Sequence, residues 1–311
     1  MWAFDARAWQ WRELLPGDVP GIVATPIRIE DVDWADSGPL VAVSAREVWA
    51  VTGTGLIGRL EDRVWAFYRP GQGFAGGLAA APDGTVWAAT YLGVFSFDGE
   101  QWTRRLDSAA QAVDVAQDGT VWISGGWGEP PPESWLARGD GESWVRVDPT
   151  AQGGAPSGPW AAAPNGEVWI AVNGWGEDEL MHCDGATCEV VQIGDYPEGF
   201  GLWVNAVWTT PNGDVWVKGN LDGFWGQYMA ARFDGEVWTV DNRLAVGGGV
   251  AVGPDGVVWT AMGSGLASID GTEWTYRITQ IEGPWIYAVD VAPDGTVWYT
   301  DDAGLHTLDT P

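Results

Sequence analysis

Seven repeat units each carry a Val-Trp dipeptide at the same position, at intervals of 35 to 47 residues along the chain. In six of the seven units it follows a turn in which Asp or Asn precedes Gly. An Asp or Asn side chain can bond its own backbone, and Gly accepts the positive φ that reverses the chain, so each unit predicts two strands joined by a tight turn. The seven tryptophans are Trp49, Trp87, Trp122, Trp169, Trp216, Trp259 and Trp298.

A second turn motif predicts two further strands in each unit. It is Asp-Gly-x-x-Trp at 98–102, 140–144, 234–238 and 270–274, with altered forms at 61–65 and 184–188. Seven units of about 40 residues with four short strands each are typical of a propeller. We therefore predict one all-β domain over residues 1–311, a seven-bladed β-propeller with four-stranded antiparallel blades. The predicted blades span 38–68, 77–105, 111–147, 159–192, 203–240, 248–278 and 286–309.

The two ends of the chain complement each other. The sequence stops at the end of the third strand of the last unit, whereas the segment 2–14 begins with Phe4 to Trp9, which resembles Phe97 to Trp102. The missing fourth strand of the last blade is therefore expected at the N-terminus. Such a closing strand would leave the ring without an open sheet edge.

The consensus D-G-x-V-W-x-x-T-x-x-G-[LV]-x-x-[FI]-D-G-x-x-W is in good form at 81–102 and 253–274. It resembles the propeller repeat in the sensor regions of hybrid two-component regulators. The segment Gly55–Leu60 gives a weaker resemblance to the virginiamycin B lyase type of seven-bladed propeller. Both resemblances imply a scaffold and leave the activity open, because one fold supports many unrelated functions.

The charge of the chain restricts its partners. It has 43 acidic against 15 basic residues, a net charge of −28. Such a charge disfavours nucleic acid and anionic membrane surfaces, and it favours a cationic or neutral ligand. No apolar stretch is long enough to predict a membrane-spanning helix. We expect the protein to be a monomer.

The two faces of the predicted ring differ in their connections. The first-to-second and third-to-fourth connections are uniformly tight turns on one face, the tight-turn face. The second-to-third and blade-to-blade connections lie on the other, the variable face. There the loops lengthen in blades three to five, at 125–133, 173–179 and 219–226. Function tends to lie on variable loops held by a rigid scaffold, so we predict the site on the variable face.

Aromatic and acidic residues are concentrated in the variable connections. Some tryptophans occupy positions that the repeat does not require, whereas the strand tryptophans are expected in the core. Exposed rings suit the apolar faces of sugars or cationic groups, although folding each loop over its blade is the alternative role. The predicted ligand-binding residues are Tyr91, Trp127, Trp175, Glu177, Asp178, Asp222, Trp225, Trp285 and Asp301.

No catalytic or metal motif is complete. Gly53–Gly58 matches G-x-G-x-x-G, but no helix pattern follows, so it does not predict dinucleotide binding. Asp31, Asp33 and Asp36 form an acid-rich segment, but their spacing does not match an EF-hand loop. We predict no cofactor, and a divalent cation such as Ca²⁺ or Mg²⁺ is the one alternative kept open.

Acid–base candidates are few. The chain has two histidines, His182 and His306, and each is expected to be a hydrogen-bonded structural residue. A carboxylate pair such as Glu177 and Asp301 could do acid–base work if the fold brought the two together. The sequence therefore leaves enzymatic activity open without naming a catalytic residue.

The two cysteines replace a pair that other units fill with apolar residues. Cys183 and Cys188 occupy the positions of Phe97 and Trp102 on either side of a hairpin turn. Opposed positions across a hairpin are close enough for a disulfide. A disulfide favours an extracytoplasmic compartment. Two reduced thiols are the alternative, and because no apolar leader follows Met1, a cytoplasmic location also stays open.

Three functions remain for this chain, in descending order. The first is a sensor- or lectin-like propeller that binds a glycan, a peptide or a small cationic molecule through its Trp- and acid-rich loops. The second is a metal-assisted lyase or hydrolase that uses the same face. The third is a protein-interaction scaffold.

Overall fold

Each repeat forms one antiparallel sheet in the computed structural model, and the seven sheets are the blades of an all-β propeller, as predicted. The structure describes residues 2–5, 10–13, 38–125, 135–147, 159–174, 177–185, 187–193, 202–221, 228–240, 249–262, 265–270, 273–279, 285–301 and 304–308. The first strands of neighbouring blades approach one another, so they surround the central axis.

The first sheet carries two N-terminal strands in addition to the four strands of blade 1. The strands are β1 (Trp2–Asp5), β2 (Gln10–Glu13), β3 (Leu40–Ser44), β4 (Glu47–Val51), β5 (Ile57–Glu61) and β6 (Val64–Tyr68). A single 3-10 turn, Pro70–Gln72, leads into the second blade.

Blades 2 to 4 are four-stranded meanders. Blade 2 contains β7 (Ala75–Ala80), β8 (Val86–Thr90), β9 (Gly93–Phe97) and β10 (Trp102–Leu106). Blade 3 contains β11 (Ala112–Val115), β12 (Val121–Gly125), β13 (Trp135–Gly139) and β14 (Trp144–Val147). Blade 4 contains β15 (Trp160–Ala162), β16 (Val168–Gly174), β17 (Glu177–Cys183) and β18 (Cys188–Gln192).

Blades 5 and 6 repeat this pattern, and blade 7 has three strands among the described residues. Blade 5 contains β19 (Leu202–Thr209), β20 (Val215–Leu221), β21 (Tyr228–Phe233) and β22 (Trp238–Val240). Blade 6 contains β23 (Val250–Val252), β24 (Val258–Met262), β25 (Gly265–Asp270) and β26 (Glu273–Thr279). Blade 7 contains β27 (Ile286–Val291), β28 (Val297–Asp301) and β29 (Gly304–Leu308).

The core lies between the blades, because each sheet is covered by a neighbour on both of its faces. Trp87 of blade 2, for example, packs with Val113 and Val121 of blade 3. All seven strand tryptophans are at least partly buried in such clusters, as their spacing predicts; six of them are no more than 6% exposed. Burial of an indole between two blades removes a large apolar area from water and fixes the distance between those blades.

The tight-turn face is built from self-capped turns. In blade 2, Gly84 has a φ of +87°, and the backbone N–H of Thr85 donates to the side chain of Asp83, with 2.9 Å between N and Oδ1. In the outer hairpin of the same blade, Asp98 Oδ1 accepts the N–H groups of Glu100 and Gln101. These backbone bonds lower the pKa of the Asp98 carboxyl, and equivalent bonds do the same at Asp140 and Asp234.

The N-terminal strands do not complete the last blade, which corrects the predicted closure. Strand β1 pairs with the outer strand of blade 1, Phe4 opposite Trp65 and Asp5 opposite Val64, and β2 pairs with β1. The segment therefore contributes two strands where one closing strand was predicted, and they lie on a different sheet edge. The sequence of this segment specifies strands but not the sheet edge to which they add. Any outer strand has unpaired N–H and C=O groups that could pair with them.

The ring closes instead through packing between blade 7 and blade 1. Trp298 and Ala292 share a core cluster with Leu40 and Ala42. The indole N–H of Trp298 donates to the carbonyl oxygen of Ser44, with 3.0 Å between N and O. Side-chain burial and side-chain to backbone bonds thus hold this seam among the described residues.

Candidate functional site

The exposed aromatic side chains of the described residues all lie on the variable face. They are Phe74, Tyr91, Trp203 and Trp285, with 50%, 41%, 52% and 65% of their surface exposed. Phe74 and Trp285 immediately precede first strands, Trp203 lies at the start of one, and Tyr91 follows a second strand. Exposed large rings gathered on one face mark a binding surface more often than scattered ones do.

Two of these four aromatic residues were predicted from sequence and two were missed. Tyr91 and Trp285 were expected at the site, and the structure places both on the variable face. Phe74 and Trp203 were not expected, because each lies next to a first strand, where the repeat usually buries its apolar residues. The glycine-rich stretch 71–77 around Phe74 was the available signal, since glycine permits close approach of other groups to a ring.

Asp301 is also at the variable end of its blade, but its carboxylate is engaged locally. It is 7% exposed, and its Oδ1 accepts the N–H of Gly304 and lies 2.8 Å from Nε2 of His306. The ring of Tyr299 stacks on His306 with centroids 5.0 Å apart, and burial, followed by the nearby Asp301 charge, raises the pKa of the Tyr299 hydroxyl. His306 is therefore hydrogen-bonded within its blade, as predicted.

The remaining predicted site residues fall in the loops of blades 3 to 5. Trp127, Trp175, Asp222 and Trp225 lie outside the described residues. Glu177 and Asp178 begin β17, where they pair in register with 174 and 173 at its variable end. Whether Glu177 meets Asp301 stays untested, and the acid-rich segment 31–36 also lies outside the described part of the chain.

An open pocket of about 580 Å³ lies on the variable face between blades 1 and 2. Tyr91 and Phe74 contribute its aromatic wall, and Pro39 and Thr54 lie on the side of blade 1. None of the described residues that line this pocket carries a charge. The pocket is shallow and open to solvent, so it could cover one face of a ligand rather than enclose it.

Two aspartates on first strands each bond the backbone of the adjacent blade. Asp114 Oδ2 accepts the N–H of Ala162 in the next blade, and Asp290 Oδ2 accepts the N–H of Ala42, each with 2.7 Å between O and N. Burial raises the pKa of Asp114 to about 6 and, with a further contribution from the Asp114 charge, that of Asp290 to about 7. Both carboxylates therefore hold neighbouring blades together through hydrogen bonds.

The single lysine of the chain is buried. Lys218 on β20 is 2% exposed and pairs in register with Ala206 and Ala230, whose small side chains leave room for its aliphatic stem. Burial lowers the pKa of its amino group to about 8. The lysine thus contributes no cationic surface to the variable face.

His182 is a structural residue on the opposite half of blade 4. Its Nε2 lies 2.9 Å from Glu167 Oε2, and its Nδ1 lies 3.3 Å from Glu189 Oε1. The imidazole stacks on Trp169, with ring centroids 4.2 Å apart. Both ring nitrogens are therefore occupied by carboxylates of the same blade, which fits the predicted structural role.

The predicted disulfide is present. Cys183 and Cys188 are bonded and lie opposite each other in the register of β17 and β18. Within the described ranges, no three His, Cys, Asp or Glu side chains are grouped so that they could hold a metal ion. In the part of the chain that the structure describes, no helix has the length and apolar character needed to cross a membrane.

Comparisons with known proteins identify the fold. No family model and no curated protein matches the sequence. Virginiamycin B lyase from Staphylococcus aureus, a catalytically inactive variant solved with quinupristin, is 14% identical with a TM-score of 0.63; the match covers 87% of this chain and 94% of the lyase. YCF48 bound to D1 peptide is 14% identical, with a TM-score of 0.60 and coverage of 86% and 91%.

An extracellular domain of a two-component system has the same fold. The extracellular domain of a protein described as a hybrid two-component system from B. thetaiotaomicron is 12% identical, with a TM-score of 0.63. The match covers 90% of this chain and 38% of that one. The two resemblances seen in the repeat, to sensor propellers and to the virginiamycin B lyase type, are thus confirmed at the level of fold.

Proposed function

We propose that this protein is an extracytoplasmic ligand-binding propeller that recognises a glycan, a peptide or a small molecule on its variable face. The observation that carries the proposal is that the exposed aromatic residues of the described chain, Phe74, Tyr91, Trp203 and Trp285, all lie on this face. The aromatic loop residues Trp127, Trp175 and Trp225 extend the same surface in our proposal.

The rigidity of the scaffold supports this role. The variable face is carried by sheets whose tryptophans are buried between blades, so the exposed rings are presented without a large ordering cost on binding. Propellers of this fold hold ligands of several kinds, since one structure contains quinupristin and another D1 peptide. The fold therefore admits a ligand without specifying which.

The Cys183–Cys188 disulfide supports the extracytoplasmic location. Disulfides persist in oxidising compartments and are rare in the cytosol, where thiols are kept reduced. The extracellular location of the sensor domain with the same fold agrees with this assignment. Fractionation of the native host, followed by thiol labelling of the protein in each fraction, tests the location.

Binding is tested by titrating the intrinsic tryptophan fluorescence and by calorimetry with oligosaccharide, peptide and amine panels. We expect a saturable signal with at least one class, and its loss in Trp285→Ala. A protein that gives no heat and no fluorescence change across all three panels, while remaining folded by circular dichroism, would contradict the proposal.

A further inference from the structure

The pocket between blades 1 and 2 is preformed around the ring of Phe74. A Cβ atom added to Gly55, whose φ is +72°, would lie 2.7 Å from this ring, so the glycine allows the backbone to pack directly against it. On blade 1, the guanidinium carbon of Arg69 lies 4.9 Å from the ring centroid. Half of the Phe74 surface nevertheless remains exposed.

Backbone bonds fix Phe74 relative to its neighbours. The N–H of Ala75 donates to the carbonyl of Gly55, with 3.1 Å between N and O, and the N–H of Tyr91 donates to the carbonyl of Phe74 at 3.3 Å. The first bond ties the segment to blade 1, and the second ties it to the connection after β8. Phe74 and Tyr91 are therefore adjacent aromatic groups in fixed positions, which lowers the entropy lost when a ligand binds.

The charges around the pocket favour an uncharged ligand. The chain carries a net charge of −28, which repels anions at long range. The described cation nearest the Phe74 ring is Arg69, which disfavours a cationic ligand there. Thr54 and Tyr91 add hydroxyl-bearing residues to the lining without adding charge, whereas Thr52 is buried and its hydroxyl accepts the N–H of Leu56.

We propose that this pocket is a subsite for a neutral sugar ring of a glycan. The apolar C–H face of a pyranose would lie against Phe74 and Tyr91, and its hydroxyl groups would bond the Thr54 hydroxyl and the backbone of Gly53–Gly55. Apolar area beside a few hydroxyl and backbone groups is the combination that a neutral sugar requires. The Thr54 hydroxyl already bonds that of Thr52, with 3.0 Å between the oxygens, and a hydroxyl can make a further bond to a ligand. The inference rests on the proposed ligand-binding function and narrows it.

The experiment is calorimetric titration of the full chain with matched oligosaccharides. The probes are neutral hexasaccharides of glucose, xylose, mannose and N-acetylglucosamine, the fully deacetylated cationic form of the last, and an anionic oligogalacturonate. The variants are Phe74→Ala, Tyr91→Ala and Thr54→Val, with Val237→Ala, a change to an exposed residue on the tight-turn face, as the control. Phe74→Leu replaces Phe74→Ala if the latter does not fold.

We expect at least one neutral hexasaccharide to bind, with affinity falling tenfold or more in Phe74→Ala and Tyr91→Ala and staying unchanged in Val237→Ala. If Trp285→Ala removes binding of a neutral hexasaccharide while both pocket variants keep it within twofold, the pocket assignment is overturned and the proposed function stands. Tighter binding of a charged probe than of its neutral counterpart also overturns it. If no sugar, peptide or amine binds, both the pocket assignment and the proposed function are overturned.

Discussion

The carboxylate of Asp290 in the last blade accepts a hydrogen bond from the backbone N–H of Ala42 in the first blade, with 2.7 Å between Oδ2 and N. The two residues are 248 positions apart in the chain, so this bond crosses the seam where the ring closes. The next turn adds a parallel bond, from the N–H of Ala45 to Asp294 Oδ2. Side chains on the last blade thus hold the first blade at two levels.

The pKa of Asp290 predicts how the seam responds to pH. An unfolded aspartate titrates near pH 3.9, whereas burial raises the pKa of Asp290 in the folded protein to about 7. Between these values the folded state binds more protons than the unfolded state, so this group lowers stability as the pH rises from about 4 to about 7. We expect the Asp290 contribution to fall by roughly 2 kcal/mol between pH 5 and pH 8.

The matched variant is Asp290→Asn, which keeps one acceptor oxygen and removes the titration. The carboxyl bonds the backbone N–H groups of both Ala42 and Val291, and the single amide oxygen replaces only one of these acceptors. We therefore expect a loss of stability at pH 5 and a smaller loss, or a gain, at pH 8. Denaturant unfolding of both proteins at the two pH values measures this difference. Parallel pH profiles for the wild type and the variant would show that Asp290 does not titrate in this range.

The Cys183–Cys188 disulfide closes a loop of four intervening residues on blade 4. For so short a loop, chain entropy predicts a stabilisation of about 2 kcal/mol. We therefore expect Cys183→Ser/Cys188→Ser to unfold at lower denaturant concentration. A thiol assay should find no titratable group in the untreated protein, even unfolded, and two after reduction; two thiols without reductant would contradict the structure.

Arg59 forms an ion pair beside the core tryptophan of blade 1. Its Nε donates to Glu47 Oε1 at 2.8 Å, its Nη1 lies 3.1 Å from Glu61 Oε2, and its guanidinium covers the Trp49 ring at 5.3 Å. Because the arginine side chain is only 14% exposed, Arg59→Ala leaves a partly buried carboxylate unpaired, and we expect a loss of about 2 kcal/mol.

Arg59→Lys is the informative comparison for this site. A lysine keeps the charge but cannot reach two carboxylates through a planar fork, so we expect it to recover less than half of the loss. Urea unfolding of the three proteins gives the values. Full recovery by lysine would show that a positive charge alone is sufficient for the stabilisation. Equal stability of all three proteins would show that the ion pair does not stabilise the blade.

The fold could be predicted because its determinants are local and repeated. Each Val-Trp dipeptide and each Asp-Gly turn specifies its own strands, and the joint change of Cys183 and Cys188 in one hairpin revealed their pairing. The N-terminal segment could be recognised as strand-forming in the same way, but its position could not, because the outer strands of blades 1 and 7 both offer an edge. Which of two equivalent sheet edges a distant strand joins is not visible in the local sequence.

The candidate site was less accessible to prediction for a related reason. Phe74 and Trp203 lie at the beginnings of first strands, where the repeat has no fixed sequence pattern, so the repeat does not predict their exposure. Asp301 was predicted as a site residue because it is one of the acidic residues in the variable connections. The structure shows that its Oδ1 accepts the N–H of Gly304, whereas the Thr90 hydroxyl at the same position of blade 2 donates to the carbonyl of Gly93.

Trp285 separates binding from stability more clearly than any other predicted site residue. It is 65% exposed, whereas Trp259 in the neighbouring blade is 5% exposed. Trp285→Ala removes little buried area, so we expect unfolding to change by no more than about 0.5 kcal/mol. The same substitution at Trp259 should cost about 3 kcal/mol or more.

The pair therefore serves as its own control. If the variable face binds ligand as proposed, Trp285→Ala should weaken binding tenfold or more with the melting temperature unchanged, and Trp259→Ala should lower the melting temperature. Calorimetric titration and thermal unfolding measured on the same preparations test both expectations. Unchanged affinity in Trp285→Ala would exclude this ring from the site, and a large drop in melting temperature would show that it has the packing role that the exposed ring does not suggest.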